Sequence, residues 1–258
     1  MIQAKHLRKS YGDTTVVDDI NLSVAAGELL VLLGASGSGK TTTLKMLNRL
    51  IEPTSGLVQF AGIDTTTISP YELRRQIGYV FQQSGLFPHM TVRKNIGVTP
   101  TLLGWPDDRI TARVDELMDL VELSSEMGHR FPHELSGGQQ QRVGVARALA
   151  ASPRVMLLDE PFGSLDALTR ERLQESFLRI HKTLSLTTIL VTHDMTEALT
   201  MGDRIGVLRK GTLLQVASPR ELLSQPVDGY VEQLMNAPRR HAAIIDALAD
   251  TLPGRPES

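Results

Sequence analysis

The sequence lacks several features that would point to particular classes of protein. It contains no cysteine, so disulfide bonds, thiolate metal sites and a cysteine nucleophile are excluded. No apolar run approaches the length of about 18 residues that a membrane-spanning helix needs, so we expect any membrane role to come through partners. The formal net charge is only -2, so no overall basic field would recruit nucleic acid. Hydrophobic residues make up 41% of the 258 residues, enough for one large domain or a domain with a smaller lobe.

The clearest motif spans residues 34–42, which read Gly-Ala-Ser-Gly-Ser-Gly-Lys-Thr-Thr. An apolar run before it predicts a buried strand, and leucines at helical spacing after it predict a helix. In that context the glycines let backbone N–H groups point at phosphate oxygens, and the helix adds the positive end of its dipole. The lysine would reach the outer phosphates and the first threonine would offer its hydroxyl to Mg²⁺. The motif therefore predicts a nucleoside-triphosphate site formed by Gly34, Ala35, Ser36, Gly37, Ser38, Gly39, Lys40, Thr41 and Thr42.

Polar side chains stand at the ends of three further predicted strands. Asp159 and Glu160 follow an apolar run, which indicates a Mg²⁺ partner and a residue that orients or deprotonates water. His193 follows another buried strand and is a candidate sensor of the γ-phosphate. Gln82 also follows a strand, where it is either an ordinary strand-end amide or a ligand contact.

A second helix start, Ser136-Gly-Gly-Gln139, is also suited to an anion. Ser136 is a good N-cap, and the two glycines leave backbone N–H groups bare at the positive end of a helix. No lysine accompanies it, so the residues alone leave open a plain helix start or a phosphate site. Tyr11 is similarly ambiguous: it is a half-buried turn residue or a stacking platform for a nucleobase, and local physics favours the first.

Residues 91–130 are predicted to be mostly helical, with breaks around Thr99-Pro100 and Gly104-Trp-Pro106. One amphipathic face is expected, formed by Val114, Leu117, Met118, Val121 and Leu123. This part of the chain is interpreted as a helical lobe inserted into the sheet domain. The loop at 85–90 is apolar and is either a docking surface or ordinary packing.

Taken in order, these motifs resemble the ATP-binding subunit of ABC transporters over about residues 2–225. The resemblance makes residues 34–42 the Walker A loop, Gln82 the Q-loop residue and His193 the switch histidine, and it favours the stacking role for Tyr11. It also assigns the family signature and the remaining motifs, namely Ser136, Gly137, Gly138 and Gln139, then Asp159 and Glu160 of Walker B, and Asp166 of the D-loop.

The fold implied by the resemblance is α/β. It has a P-loop NTPase (RecA-like) core with a parallel sheet, an N-terminal antiparallel β subdomain and an inserted α-helical subdomain at about 91–152. The ATPase domain would cover residues 1–236, followed by a tail at 237–258, and we expect no CBS domains.

The mechanism implied by the resemblance is ATP hydrolysis by a pair of subunits. Walker A of one chain would face the signature of the other, so that Ser136 and Gly138 complete the partner's site. Mg²⁺ would be held by Thr41, Gln82 and Asp159. The catalytic residues would be Glu160, His193, Gln82 and Lys40.

A narrower resemblance links the chain to importers of glycine betaine, choline and related quaternary amines. It rests on residues 78–92, Leu102-Leu-Gly-Trp105 and 132–147. It implies a peripheral subunit on the cytoplasmic face of the inner membrane, partnered by permease subunits, by an extracytoplasmic binding protein through the permease, and by a second copy of this chain. The substrate rests on similarity alone, since this subunit would never touch it.

Other functions remain open at this point. They are an importer of another small solute such as a polyamine, an amino acid or sulfate, an exporter subunit, and a soluble ABC protein that acts on nucleic acid. The last usually needs two fused ATPase units, a coiled-coil arm or a basic patch. The sequence has none of these, so no nucleic-acid partner is expected.

Overall fold

The computed structural model describes residues 1–82 and 85–236. Its strands are β1 (Ile2–Tyr11), β2 (Thr14–Val24), β3 (Leu29–Leu33), β4 (Ser55–Phe60), β5 (Ile63–Asp64), β6 (Ile77–Val80), β7 (Val155–Asp159), β8 (Thr187–Thr192), β9 (Arg204–Arg209) and β10 (Thr212–Ala217). Its helices are α1 (Lys40–Leu47), α2 (Pro70–Arg75), α3 (Val92–Leu102), α4 (Asp107–Leu120), α5 (Gly137–Leu149), α6 (Ala167–Leu184), α7 (Met195–Met201) and α8 (Pro219–Ser224). Residues 229–236 are also helical.

A six-stranded sheet in the order β10-β9-β3-β8-β7-β6 forms the centre of the fold. All neighbours run parallel except β10, which pairs antiparallel with β9. Leu33 lies opposite Thr192, and Asp159 lies opposite Val191. The carboxyl ends of β3, β7 and β8 therefore meet at one edge, together with the polar residues that follow them.

Both faces of this sheet are buried, which explains why its strands are apolar throughout. In β3, Leu29, Val31 and Leu33 belong to one hydrophobic cluster, and Leu30 and Leu32 belong to another. The first cluster is shared with α3 to α6, and the second is shared with α1 and the N-terminal strands.

A separate antiparallel sheet has the order β2-β1-β4-β5. Ile2, Ala4 and Leu7 of β1 are buried, and exposed residues lie between them. This alternation is typical of a sheet with one face packed on the core and the other in water. The predicted α/β class with an N-terminal antiparallel sheet is confirmed.

Helices α3, α4 and α5 pack together beside the sheet. The predicted amphipathic face is confirmed, since its five residues are all at most 4% exposed: Val114, Leu117, Met118, Val121 and Leu123. The domain limits, residues 1–236 with a helical subdomain at about 91–152, stay a prediction, and the tail at 237–258 lies outside the described residues.

The break predicted at Thr99-Pro100 is wrong, because α3 continues through Pro100 to Leu102. Proline removes one helical hydrogen bond and crowds the preceding turn. Pro100 is only two residues from the end of the helix, so only the last turn has to accommodate the missing bond to the Ile96 carbonyl. The break predicted at 104–106 is confirmed, since α4 begins at Asp107.

Across residues 1–82 and 85–236, none of the helices combines the length and the apolar character needed to cross a lipid bilayer.

Candidate functional site

The loop between β3 and α1 curls tightly at two glycines. Gly39 caps α1 with φ 98°, in the left-handed region that favours glycine. At Gly34 a Cβ atom would lie 2.3 Å from the Leu208 carbonyl oxygen, so any side chain would collide with the backbone of β9. The Gly211 N–H donates to the Ser38 carbonyl at 3.0 Å and holds the loop against the β9–β10 turn. The buried Ser38 hydroxyl has no hydrogen-bond partner among the described residues.

Lys40 lies at the start of α1 and is 4% exposed. Its ammonium donates to the carbonyls of Gly34 at 2.7 Å and Ala35 at 2.9 Å. Burial lowers the pKa of Lys40, and the carboxylates of Glu160 and Asp159 oppose that shift. The lysine is thus a buried cation placed inside the loop, where anionic oxygens would be its natural partners.

Asp159 ends β7 and is 5% exposed. Its Oδ1 accepts a hydrogen bond from the Thr41 hydroxyl at 2.7 Å, and its Oδ2 accepts one from the Tyr79 hydroxyl at 3.2 Å. Burial and the adjacent carboxylate raise the pKa of Tyr79 far above its ordinary value, so its hydroxyl stays protonated and donates. Two oxygen groups suited to Mg²⁺, a threonine hydroxyl and a carboxylate, therefore stand side by side.

Glu160 contacts two other polar residues of the site. Its Oε2 accepts from the Gln82 amide at 3.2 Å and lies 3.0 Å from His193 Nδ1. Its backbone has φ 46°, a left-handed conformation that is uncommon for a residue with a side chain. The Glu160 N–H donates to the Val191 carbonyl at 2.9 Å, so β8 holds the turn that aims this carboxylate.

Most of these groups line one cavity of about 630 Å³, which is within the range of small-molecule sites. Asp159 and Tyr79 are not among its lining residues. Every residue of the predicted phosphate loop from Gly34 to Thr42 lines it, with Gln82, Glu160 and His193. The cavity is also lined by four residues that sequence analysis did not predict to be part of the site: Val16, Leu33, Tyr230 and Leu234.

The predicted signature residues lie elsewhere, outside the residues that line this cavity. Ser136 caps α5: its hydroxyl accepts from the Gln139 N–H at 3.3 Å, and the Gln139 side chain accepts from the Ser136 N–H at 2.9 Å. Gly138 is in tight contact with α6, since a Cβ there would lie 2.6 Å from Thr169 Cγ2. Gly137 and Gln139 complete this exposed helix start.

Asp166 caps α6 next to the signature, where its carboxylate accepts from the Thr169 N–H at 3.0 Å. Hydrogen bonds from Thr169 are the main reason that the pKa of Asp166 is lowered. Like the signature, Asp166 does not line the cavity.

Tyr11, predicted to stack on a base, is not among the cavity-lining residues. It ends β1 with 51% of its surface exposed, and the Lys9 ammonium lies 4.9 Å from its ring centroid. The stacking role therefore stays a prediction.

The site can now be set beside known proteins. The protein-family model described as ABC transporter matches residues 17–163. The chain belongs to the ABC transporter family. The matched range contains both the phosphate loop and Glu160.

Within this family the most similar curated relatives include transport ATP-binding proteins. The chain is 49% identical over 240 residues to the choline transport ATP-binding protein OpuBA of Bacillus subtilis, covering 93% of this chain and 63% of OpuBA. It is 50% identical over 245 residues to the osmoprotectant import ATP-binding protein OsmV of Salmonella typhimurium, covering 93% of this chain and 64% of OsmV. The chain thus spans less than two thirds of the length of these relatives.

Solved structures of ABC cassettes have the same fold. The dimeric post-hydrolysis structure of the cassette MJ0796 bound to ADP and Pi has a TM-score of 0.78 and 33% sequence identity. The match covers 85% of this chain and 99% of that one. The P-loop NTPase fold implied by the resemblance is confirmed.

Tyr79 is the main site residue that sequence reasoning missed. The sequence did contain a signal for it: an aromatic residue with a polar hydroxyl lies inside an otherwise apolar strand that ends shortly before Gln82. No local pattern pointed to Tyr230 and Leu234, which reach the cavity because the adjacent Val231 and Met235 are buried in the core.

Proposed function

We propose that the chain is the ATP-hydrolysing subunit of an ABC importer for a quaternary-amine osmoprotectant of the glycine betaine, choline or carnitine type. The observation that carries the ATPase part is the cavity in which the whole phosphate loop faces Glu160, Gln82 and His193. The bound ADP and Pi named for the MJ0796 structure support a nucleotide as the ligand.

In this proposal the loop N–H groups and Lys40 bind the phosphates of ATP, and Glu160 receives a proton from the attacking water. Its hydrogen bonds with Gln82 and His193 would hold its carboxylate in place and leave His193 facing the γ-phosphate. Phosphoryl transfer needs little covalent chemistry from the protein, so positioning and charge stabilisation would supply most of the rate.

Thr41, Gln82 and Asp159 would hold Mg²⁺. When bound, Mg²⁺ would neutralise charge between the outer phosphates. The described residues contain no group of three or more His, Asp or Glu side chains that could hold a metal. A single carboxylate with a hydroxyl suits Mg²⁺, which usually keeps waters and substrate phosphates as its other ligands.

A second copy of the chain would complete each site. The phosphate loop has a lysine, whereas the start of α5 has two glycines and an exposed Ser136 but no lysine of its own. Ser136 and Gly138 of one chain would therefore contact the nucleotide held by Lys40 of the other. The dimeric state named for MJ0796 supports this arrangement.

A groove between the sheet and α3 would receive the permease, which would keep the subunit at the cytoplasmic face of the membrane. The groove holds about 310 Å³. Among the residues that line it, Phe81 is 42% exposed, Phe87 40% and Leu102 77%. Apolar side chains exposed together in this way are typical of a protein-binding surface. An extracytoplasmic binding protein would join the assembly through the permease.

The substrate class rests on the names of the relatives. A choline transporter subunit, an osmoprotectant importer subunit and the glycine betaine uptake protein YehX of Escherichia coli are 49 to 50% identical to this chain. The alternative is an importer of another small solute. It is favoured by the sulfate/thiosulfate import protein CysA of Nocardia farcinica, which is 45% identical over 90% of this chain.

The test is co-purification of the tagged chain from gently extracted membranes. We expect a multi-span permease and a binding protein whose pocket holds an aromatic cage for a quaternary ammonium. A binding protein with a pocket of another chemistry would support the alternative substrate. Recovery only from the soluble fraction with RNA or ribosomal proteins would contradict the transporter function.

A further inference from the structure

Tyr79 lies between the nucleotide cavity and the groove. Its hydroxyl reaches Asp159 Oδ2 at 3.2 Å. Its ring centroid lies 4.6 Å from that of Phe81, with the two rings tilted by 47°. Both rings line the groove beside α3. One side chain therefore contacts a nucleotide-site carboxylate and a residue exposed in the groove.

Tyr79 is one of two hydrogen-bond partners of the Asp159 carboxylate. Asp159 uses one oxygen for Thr41 and the other for Tyr79. Because Asp159 is 5% exposed, water would not readily replace a lost partner, and an unsatisfied buried acceptor is costly. Partners that orient a ligand in this way commonly tune metal affinity as strongly as some of the ligands themselves.

We propose that Tyr79 is a positioning residue for Asp159 and that a permease segment docked in the groove acts on the nucleotide site through it. The inference rests on the proposed ATP hydrolysis and permease docking. A segment that displaces the Phe81 ring would also move the packed Tyr79 ring, and with it the hydrogen bond to Asp159. The groove and the carboxylate are thus connected through two contacts, the ring packing between Phe81 and Tyr79 and the hydrogen bond from Tyr79 to Asp159.

The first experiment isolates the hydroxyl. Tyr79→Phe keeps the ring and removes the donor, and Tyr71→Phe on α2, where Tyr71 is 73% exposed, is the matched control. The measured quantity is the Mg²⁺ concentration that half-saturates the ATP-dependent rise in melting temperature. Tyr79→Phe should raise it about tenfold, with Tyr71→Phe unchanged. A purely structural role for Tyr79 would lower the melting temperature without ligand and leave this concentration alone.

The second experiment tests the link to the groove in the complex recovered with the tagged chain. Phe81→Leu keeps an apolar side chain but removes the ring that packs on Tyr79. Both Phe81→Leu and Tyr79→Phe should reduce the stimulation of ATP turnover by the permease, and the double variant should lose less than the product of the two single losses, because both act through one path.

The outcomes separate this inference from the proposed function. Wild-type half-saturating Mg²⁺ in Tyr79→Phe would overturn the positioning role. Full multiplicativity of the two losses, or normal stimulation in Phe81→Leu, would overturn the link to the groove. A wild-type chain that shows no ATP-dependent shift and no turnover would instead contradict the proposed ATPase.

Discussion

The phosphate loop and the start of α5 are both glycine-rich helix beginnings, yet they differ in how they are completed. The loop carries Lys40, and Asp159, Glu160 and His193 from distant parts of the chain lie beside it. The start of α5 is capped by Ser136 and Gln139 of the same helix, and Ser136 and Gly137 are exposed. The helix dipole favours an anion equally at both helix starts. The two starts therefore differ in the side chains that surround them.

This comparison is the physical reason for our proposal that one chain makes half of a nucleotide site. A helix start can bind an anion through its N–H groups, but a buried lysine and carboxylates are needed to hold a triphosphate and activate water. The phosphate loop has these groups beside it, and the start of α5 does not. Each region therefore supplies what the other lacks, provided that two chains face each other.

The largest effect is expected at Glu160. Glu160→Gln keeps the shape and the left-handed backbone but removes the base, so ATP should still bind while phosphate release falls by about a thousandfold. Calorimetry and a phosphate-release assay measure the two quantities. Glu171→Gln, at an exposed acid on α6, should leave both unchanged. Turnover of Glu160→Gln near the wild-type rate would contradict the proposed role of Glu160 as the base.

Mixing two inactive variants tests directly whether the two regions complete each other. Lys40→Ala disables the phosphate loop and Ser136→Arg blocks the start of α5, so each variant alone should be inactive. In an equal mixture, half of the pairs regain one of two sites, which predicts about a quarter of the wild-type rate for a symmetric pair. Two differently tagged Lys40→Ala chains are the control. A mixture as inactive as its parents would argue against the composite site.

The smallest predicted effect is on stability, and it differs between the two glycines at the start of α5. A Cβ at Gly138 would lie 2.6 Å from Thr169 Cγ2, whereas at Gly137 the nearest atom is Leu165 Cδ2 at 3.6 Å. Gly138→Ala should therefore lower the free energy of unfolding by about 1 to 2 kcal/mol through overpacking. Gly137→Ala should be neutral or stabilising by up to about 1 kcal/mol, since alanine favours helix.

Denaturant unfolding measures both glycine variants under the same conditions. Adding Thr169→Ser, which removes the clashing methyl group, should recover most of the stability lost in Gly138→Ala. Equal stability of the two alanine variants would contradict the close contact between α5 and α6.

The sequence alone was sufficient for features that depend on local patterns. The phosphate loop, the Ser136 cap and the polar ends of β7 and β8 follow from residue type and spacing along a few positions. The prediction of a break at Pro100 failed because this proline lies only two residues from the end of α3, so few helical hydrogen bonds follow it.

Only the tertiary structure decided which of these features meet. Thr41 and Asp159 are 118 positions apart, and Tyr79 and Asp159 are 80 apart. Both pairs share hydrogen bonds because β6, β7 and β3, which leads into α1, belong to one sheet and end at the same edge of it. The same packing brings Tyr230 to the cavity and leaves Tyr11 outside its lining. Sequence periodicity specifies which face of a strand or helix is buried, but the order of strands in the sheet determines which side chains become neighbours.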